Sequence, residues 1–139
     1  MLYGKRNCSR ITEGIGLIII PMVLVCLSGC LGHNDDAEMW FYKGIDLGNK
    51  EDKWTESIKC FDKAIEINPH LTKAWVAKGW AFNNLGKYTE GIDCFDMAIQ
   101  IDSTEPYAWY GKGWALTYLN QKEEANIAFD RARALGLKV

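Results

Sequence analysis

The chain repeats itself at an interval of 34 residues. The stretch AWVAKGWAFNNLGKY, which starts at Ala74, aligns without a gap with AWYGKGWALTYLNQK, which starts at Ala108. The matches continue downstream, where Phe95 pairs with Phe129, and an earlier copy over residues 40–69 fits once one additional loop residue is allowed. A unit of this length cannot bury its apolar residues alone. The sequence therefore predicts copies that stack side by side around one continuous core.

Two helices are expected in each copy. In the second half, phenylalanine and isoleucine recur at spacings of three and four residues, which gives a helix one apolar stripe. In the first half, every copy carries a glycine inside the predicted helix, where it costs about 1 kcal/mol relative to alanine. Because the cost is repeated, we expect these glycines to allow close packing against small residues of the second helix. The expected pairs are Gly44 with Ser57, Gly79 with Gly91, and Gly113 with Ala125.

The pattern resembles the tetratricopeptide repeat, a helix–turn–helix unit. The characteristic positions of that family are filled in the middle copy by Trp75, Gly79, Leu85, Gly86, Tyr88, Gly91, Phe95 and Ala98. The third copy departs from the pattern at Lys122 and Leu137, which stand where an aromatic residue and a proline are usual. The resemblance implies an all-α fold, an α-solenoid of three tetratricopeptide helix–turn–helix repeats over residues 38–71, 72–105 and 106–139.

The same resemblance implies a peptide-binding groove on the concave side, lined by the first helix of each repeat. By the family's mapping, the groove residues are Phe41, Tyr42, Ile45, Val76, Trp80, Asn83, Asn84, Tyr110, Trp114, Thr117 and Tyr118. Val76 and Trp80 replace polar residues of the family's two-carboxylate clamp, so we do not expect recognition of an acidic chain terminus. An aromatic, amide-rich groove favours an extended peptide or protein partner. The alternative is that Trp80 and Trp114 only pack between neighbouring helices.

The N-terminal residues resemble an export signal. A basic head over residues 1–14 precedes an apolar run of 13 residues, Ile15–Leu27, which is shorter than the ~20 that a membrane-spanning helix needs. The run ends in Leu-Ser-Gly-Cys, which resembles the lipobox of prokaryotic lipoproteins. The resemblance implies a signal peptide over residues 1–29, lipid on Cys30, a polar tether over residues 30–37 and an extracytoplasmic domain attached to the cell membrane. The alternative is an uncleaved N-terminal anchor.

Composition and motifs argue against catalysis and against nucleic acid as a partner. The formal net charge is −2, whereas phosphate binding normally shows as a basic excess. The sequence has no Cys/His cluster, phosphate-binding loop or serine motif, so we expect no catalytic residue, cofactor or metal. Cys60 and Cys94 occupy the same position in successive repeats and are interpreted as small buried residues. A nucleophilic cysteine assisted by His70 is the alternative.

Three lysines recur beside the repeated glycines: Lys43, Lys78 and Lys112. Two interpretations are open for them. They form a basic stripe, or their aliphatic stems cover apolar surface while their charged ends reach water, which is the arrangement we expect.

No additional polar helix follows the third repeat in this sequence. Stacked repeats usually end in a polar cap, so we expect apolar surface to remain open at Phe129, Leu135, Leu137 and Val139. This surface suggests an alternative function. The protein would then be an oligomeric structural component of an extracytoplasmic assembly that self-associates through its C-terminal end.

Overall fold

Six helices follow one another in the computed structural model, which describes residues 21–51 and 53–138, with side chains from residue 35 onward except at residue 51. The helices are α1 (Pro21–Glu51), α2 (Trp54–Ile67), α3 (Thr72–Asn84), α4 (Tyr88–Ile101), α5 (Pro106–Tyr118) and α6 (Lys122–Ala134). No strand occurs within these ranges. The all-α prediction is therefore confirmed.

The helices pack in the order in which they occur along the chain. The C-terminal part of α1 forms a hairpin with α2, α3 forms one with α4, and α5 forms one with α6. Each second helix also contacts the first helix of the next hairpin, so α2 lies against α3 and α4 against α5. This is the arrangement of a helical-repeat solenoid, and it confirms the predicted architecture.

The turn inside each of the last two hairpins requires one residue with a positive φ. Gly86 has φ +73° after α3, and Asn120 has φ 60° at the equivalent position after α5. Glycine adopts this backbone region without steric cost and asparagine tolerates it better than most residues. Leu85 and Gly86, which fill characteristic positions of the repeat, therefore follow the end of α3, and Leu119 and Asn120 follow the end of α5 in the same way.

The leading tryptophan of each of the last two repeats fixes the loop before its own helix. The indole N–H of Trp75 donates to the carbonyl oxygen of Pro69 at 2.9 Å, and that of Trp109 donates to Ser103 at 3.0 Å. Both donors lie six residues after their acceptors. The repeated tryptophan therefore sets the junction between one hairpin and the next.

Residues 30–37, for which the sequence predicts a polar tether, belong to α1 in the structure. Ala37, the residue before the predicted start of the repeat at residue 38, is fully buried. No proline lies between Pro21 and Pro69 to interrupt the backbone hydrogen bonds of this helix. Residues 1–20 of the predicted signal peptide lie outside the described residues. Within the described part of the chain, no helix has the length and apolarity that crossing a membrane requires.

The repeated glycines make room for phenylalanine rings of the second helix. A Cβ atom added at Gly79 would lie 2.7 Å from Cε1 of Phe95, closer than real Cβ atoms approach. The same contact recurs at 2.5 Å between Gly44 and Phe61 and at 2.7 Å between Gly113 and Phe129. This corrects the expectation that small residues alone face these glycines. Gly91 does approach the backbone of Gly79, but the Phe95 ring occupies the space in which a Cβ atom of residue 79 would lie.

Phe95 also joins the second hairpin to the third. A Cβ atom added at Gly111 of α5 would lie 2.3 Å from Cζ of the same ring. Phe95 is fully buried, between Gly79 of its own hairpin and Gly111 of the next. One ring therefore fixes the approach of three helices.

The recurring lysines form ion pairs between successive hairpins. Lys78 Nζ lies 2.6 Å from Asp62 Oδ1, and Lys112 Nζ lies 2.6 Å from Asp96 Oδ1. Both contacts join the second helix of one hairpin to the first helix of the next, with the same offset of 34 residues. Neither interpretation from the sequence included these pairs. Lys43 differs, because its ammonium lies 4.7 Å from the centroid of the Trp40 ring.

The outer face of α6 is more polar than the sequence analysis expected. Asn126 and Arg133 are exposed where the preceding hairpin has Ile92 and Ile99, and Arg133 pairs with Asp130 on its own helix. The apolar residues expected to lie open at this end, Phe129, Leu135 and Leu137, are all half-buried. Val139 lies outside the described residues. The three half-buried side chains keep part of their apolar surface accessible, and Ile127 of the same helix is 67% exposed, so self-association through this end stays a prediction.

The glycine–phenylalanine contact yields the first prediction. Gly79→Ala should lower the free energy of unfolding by about 1–2 kcal/mol, because overpacking against Phe95 outweighs the gain in helix propensity of about 1 kcal/mol. Chemical denaturation measures the change, and Asn126→Ala at an exposed helical position serves as the control. In Gly79→Ala/Phe95→Leu the two losses should be less than additive, because the smaller side chain relieves the clash. A rise in stability for Gly79→Ala would contradict this account of the packing.

Candidate functional site

The first helices of the three hairpins present one surface, formed by side chains of α1, α3 and α5, which we call the A-helix face. Two cavities lie on it, and they share Trp80 and Asn84. The two cavities therefore lie side by side, and together we call them the depression. Its position follows from the fold, because the second helices pack behind the first and leave this side uncovered.

The larger cavity lies mainly between α1 and α3 and has a volume of about 500 Å³. Five predicted groove residues line it: Phe41, Ile45, Val76, Trp80 and Asn84. The sequence analysis missed the rest of its lining, which consists of Gly44, Asn49, Trp54, Phe61, Lys73, Ala77, Glu105 and Tyr107. Trp54 and Phe61 come from the second helix of the first hairpin, and a mapping restricted to first helices omits them. The signal that would have found Phe61 is its pairing with Gly44.

The smaller cavity lies between α3 and α5 and has a volume of about 390 Å³. Five predicted groove residues line it, of which two also line the larger cavity: Trp80, Asn83, Asn84, Trp114 and Tyr118. Tyr88, at the start of α4, completes the lining and was missed, because the family pattern assigns it to the turn.

Three predicted groove residues line neither cavity. Tyr42 is 59% exposed and packs edge-to-face on Phe41, with the ring centroids 5.1 Å apart. Tyr110 lies among other rings of the A-helix face. The hydroxyl of Thr117 donates to the carbonyl oxygen of Gly113 on its own helix at 2.8 Å.

Aromatic rings form a continuous row across the last two hairpins. The ring centroids of Trp80 and Tyr110 are 6.0 Å apart, those of Tyr110 and Trp114 are 6.4 Å apart, and those of Trp114 and Tyr118 are 5.8 Å apart. Tyr118 then stacks on Tyr88 at 4.7 Å with nearly parallel planes. Such pairs contribute about 0.5–1.5 kcal/mol each beyond their burial.

Both interpretations of the two tryptophans hold in part. Trp80 is half-buried, packs edge-to-face on the core residue Phe95 at 5.7 Å, and also lines both cavities. Trp114 is 39% exposed and belongs to the row of rings. Trp80 therefore both packs against the core and forms part of the surface, whereas Trp114 belongs to the surface row of rings.

The asparagine amides are already engaged within the protein. Asn84 Nδ2 donates to the carbonyl oxygen of Trp80 at 2.9 Å, and Asn83 Nδ2 donates to that of Gly111 at 3.3 Å, across the hairpin junction. Asn83 Oδ1 is buried without a hydrogen-bond partner. Asn83 therefore links α3 to α5, in addition to lining the smaller cavity.

The larger cavity is apolar, with its charged groups at one end. Lys73 Nζ bonds Glu38 Oε1 at 2.7 Å and lies 4.9 Å from the centroid of the Phe41 ring. Glu105 Oε1 accepts a hydrogen bond from the backbone N–H of Tyr107 at 3.0 Å. Each charge thus has a partner within the protein, and the cavity presents no cluster of cations to an anionic ligand.

The two repeat cysteines are buried free thiols, as interpreted from the sequence. Burial raises the pKa of the Cys94 thiol to about 11, so this thiol is protonated at neutral pH and is a poor nucleophile. His70 is exposed in the loop after α2, where its backbone N–H donates to Asn68 Oδ1 at 3.0 Å. Among the residues that the structure describes, no three His, Cys, Asp or Glu side chains group as metal ligands.

Comparisons with known proteins identify the repeat. The tetratricopeptide repeat family model matches residues 72–105, which coincide with the second predicted repeat. A TPR repeat-containing protein of Methanocaldococcus jannaschii is 41% identical over 44 residues, which are 32% of this chain and 13% of that protein. An uncharacterized protein of the same archaeon is 42% identical over 50 residues, which are 36% of this chain and 57% of that protein. The chain thus spans less than two thirds of either relative.

Solved structures share the fold over about three quarters of this chain. The second TPR of Spaghetti, bound to an HSP90 peptide, has a TM-score of 0.73 and 20% sequence identity, and the match covers 77% of this chain and 98% of that chain. At this identity the likeness defines the fold, a tetratricopeptide-repeat solenoid. At the level of sequence, the match to the tetratricopeptide repeat family model is limited to residues 72–105.

The buried Cys94 yields the second prediction. Its ordinary pKa is 9.0, and burial raises it to about 11 in the folded chain. Between these values the unfolded thiol ionises while the folded thiol keeps its proton, so stability falls as the pH rises. Cys94→Ala, which copies the buried Ala128 of the third repeat, should remove about 1–2 kcal/mol of this alkaline loss.

Chemical denaturation of the wild-type and Cys94→Ala proteins at pH 8 and pH 10.5 measures how the free energy of unfolding of each changes with pH. Comparing the two proteins at each pH cancels the contribution of tyrosines and lysines, which titrate in the same range. Identical pH profiles would show that the environment of Cys94 does not favour the protonated thiol.

Proposed function

We propose that this protein is a non-catalytic scaffold that binds a peptide or protein partner on its A-helix face. The observation that carries the proposal is the depression formed by the two adjoining cavities, bordered by the row of rings from Trp80 to Tyr118. Half-exposed aromatic residues around a preformed concavity are typical of binding sites in which a few residues supply most of the affinity. The structure of Spaghetti with a bound HSP90 peptide supports a peptide or protein as the class of partner.

The chemistry of the depression favours a partner with apolar side chains. Val76 and Trp80 stand at clamp positions of the family, and the one lysine of the larger cavity, Lys73, is paired with Glu38. An extended segment that places apolar side chains against the rings fits this surface better than an acidic chain terminus.

The non-catalytic role that we propose agrees with the surroundings of the cysteine and histidine that were considered as an alternative reactive pair. Cys94 is held as a protonated thiol, and His70 lies in an exposed loop. The tetratricopeptide fold typically serves as a protein-interaction scaffold, which agrees with this interpretation.

The alternative function, self-association through the C-terminal end, has less support. The exposed Asn126 and Arg133 place polar groups on the outer face of α6, and Asp130 is already paired with Arg133. A stacked second copy would have to desolvate these groups.

Photocrosslinking at single positions tests the binding proposal. A benzoylphenylalanine residue at Tyr118, which is 60% exposed on the A-helix face, should form an adduct with a partner in the native membrane fraction. The matched control position is Ile127, which is 67% exposed on α6. Adding Trp80→Ala to the Tyr118 protein should lower the adduct yield about 5-fold or more, because a central tryptophan usually contributes over 1 kcal/mol.

Circular dichroism separates loss of binding from loss of folding in the Trp80→Ala protein. Adducts that form equally at both positions would indicate nonspecific contact. The proposal fails if Tyr118 yields no adduct while the protein is folded.

We further propose that Cys30 carries lipid and holds the protein on the extracytoplasmic side of the cell membrane, with residues 1–29 removed as a signal peptide. The support is the basic head, the short apolar run and the Leu-Ser-Gly-Cys motif. Two acyl chains bind a membrane firmly, because each buried CH₂ contributes about 0.8 kcal/mol.

Intact-mass spectrometry of the protein from the membrane fraction tests this anchor. The expected mass is that of residues 30–139 plus a diacylglyceryl group, and Cys30→Ala should abolish both the processing and the added mass. Recovery of the full 139-residue polypeptide, unmodified, from the membrane fraction would instead favour the uncleaved anchor.

A further inference from the structure

The two junctions between successive hairpins share one backbone plan. Within the hairpin that precedes the first junction, Phe61 of α2 packs against Gly44 of α1, and within the hairpin that precedes the second, Phe95 of α4 packs against Gly79 of α3. These contacts fix which positions correspond. From α1 to α3 the offset is 35 residues because of the additional loop residue, and from α3 to α5 it is 34.

Three side chains of the A-helix face are smaller at the first junction than at the second. The first junction has Ile45, Val76 and Asn84 where the second has Trp80, Tyr110 and Tyr118. At these positions an aromatic ring of the second junction is replaced by a smaller side chain in the first, whereas Phe41 of the first is larger than its counterpart in the second.

Beneath the A-helix face, each junction has a phenylalanine–glycine pair, which we call its floor, and at the second junction a ring covers this floor. Trp80 packs edge-to-face on Phe95 at 5.7 Å, and neither Phe95 nor Gly79 lines the smaller cavity. At the first junction Ile45 stands at the position of Trp80. There the corresponding floor residues, Phe61 and Gly44, both line the larger cavity.

We infer that the larger cavity binds an aromatic side chain of the partner, which occupies beside Ile45 the space that the Trp80 ring fills at the second junction. This inference rests on the proposed function and specifies the group that the partner inserts. Phe41 and Trp80 line the same cavity, and the ring centroids of Phe41 and Phe61 are 6.1 Å apart. The cavity is therefore partly walled with aromatic residues.

The size and charge of the cavity fit such a group. Its volume of about 500 Å³ lies within the ~300–1,000 Å³ usual for ligand sites, which leaves room for a ring and adjoining backbone. Lys73 is paired with Glu38, so the cavity offers no free cation for a carboxylate. A neutral aromatic side chain is thus favoured over a charged one.

Titration of the full-length protein with two small probes tests the inference. N-acetyl-tryptophanamide represents an aromatic side chain, and N-acetyl-leucinamide represents an aliphatic one. The NMR signals of the Ala77 methyl group and the Trp80 indole, which both line the cavity, report binding. The tryptophan probe should bind about 2- to 10-fold more tightly, because aromatic pairs add about 0.5–1.5 kcal/mol beyond burial.

Variants copied from the second junction supply the matched test. Ile45→Trp should fill the cavity with a ring that this fold already accepts at Trp80, and it should abolish the saturable shift of the Ala77 signal. Val76→Tyr, copied from Tyr110, is the second variant in case the first does not fold. Ile127→Trp adds a ring at an exposed position of α6 and should leave the titration unchanged.

Three results would overturn the inference: no saturable binding of the tryptophan probe, equal binding of both probes, or unchanged binding by both filled variants when they are folded. Crosslinking separates this failure from that of the proposed function. If the adduct at Tyr118 survives in Ile45→Trp, the A-helix face binds a partner without an aromatic group in this cavity. If the wild-type background yields no adduct, the proposed function itself fails.

Discussion

The close contact between a glycine of one helix and a phenylalanine ring of the next is the constraint on which the rest of this fold depends. Every repeat contains it, and Phe95 extends it to Gly111 of the following repeat. Because no Cβ atom fits between ring and backbone, the ring sets how closely the helices approach. The distance between helices then determines which side chains remain uncovered on the A-helix face.

Ion pairs and a side-chain hydrogen bond also connect successive repeats. Lys78 with Asp62 and Lys112 with Asp96 join successive repeats at equivalent positions, and Asn83 donates across the second junction. Partly exposed ion pairs contribute little stability, roughly 0–1 kcal/mol, so their main effect is on the register between hairpins.

The candidate site arises from an asymmetry imposed on this repeated plan. The ring of Trp80 packs on Phe95 at the second junction, whereas Ile45 stands at the corresponding position of the first, where the buried Phe61 lines the larger cavity. A partner that supplies the missing ring would complete the aromatic packing that the second repeat makes with its own residues. The repeat thus provides the scaffold, and its departures from exact repetition provide the proposed specificity.

The sequence by itself determined the number of repeats, the helices and most of the A-helix face, because a 34-residue period and helical spacing depend only on local geometry. It also anticipated the buried cysteines. Only the tertiary structure decided that the Phe95 ring, rather than Gly91, occupies the space beside Gly79. It also decided that the lysines pair with aspartates, and that Trp54 and Phe61 line the larger cavity. These contacts join residues that different helices contribute, and their distances are fixed by packing in three dimensions.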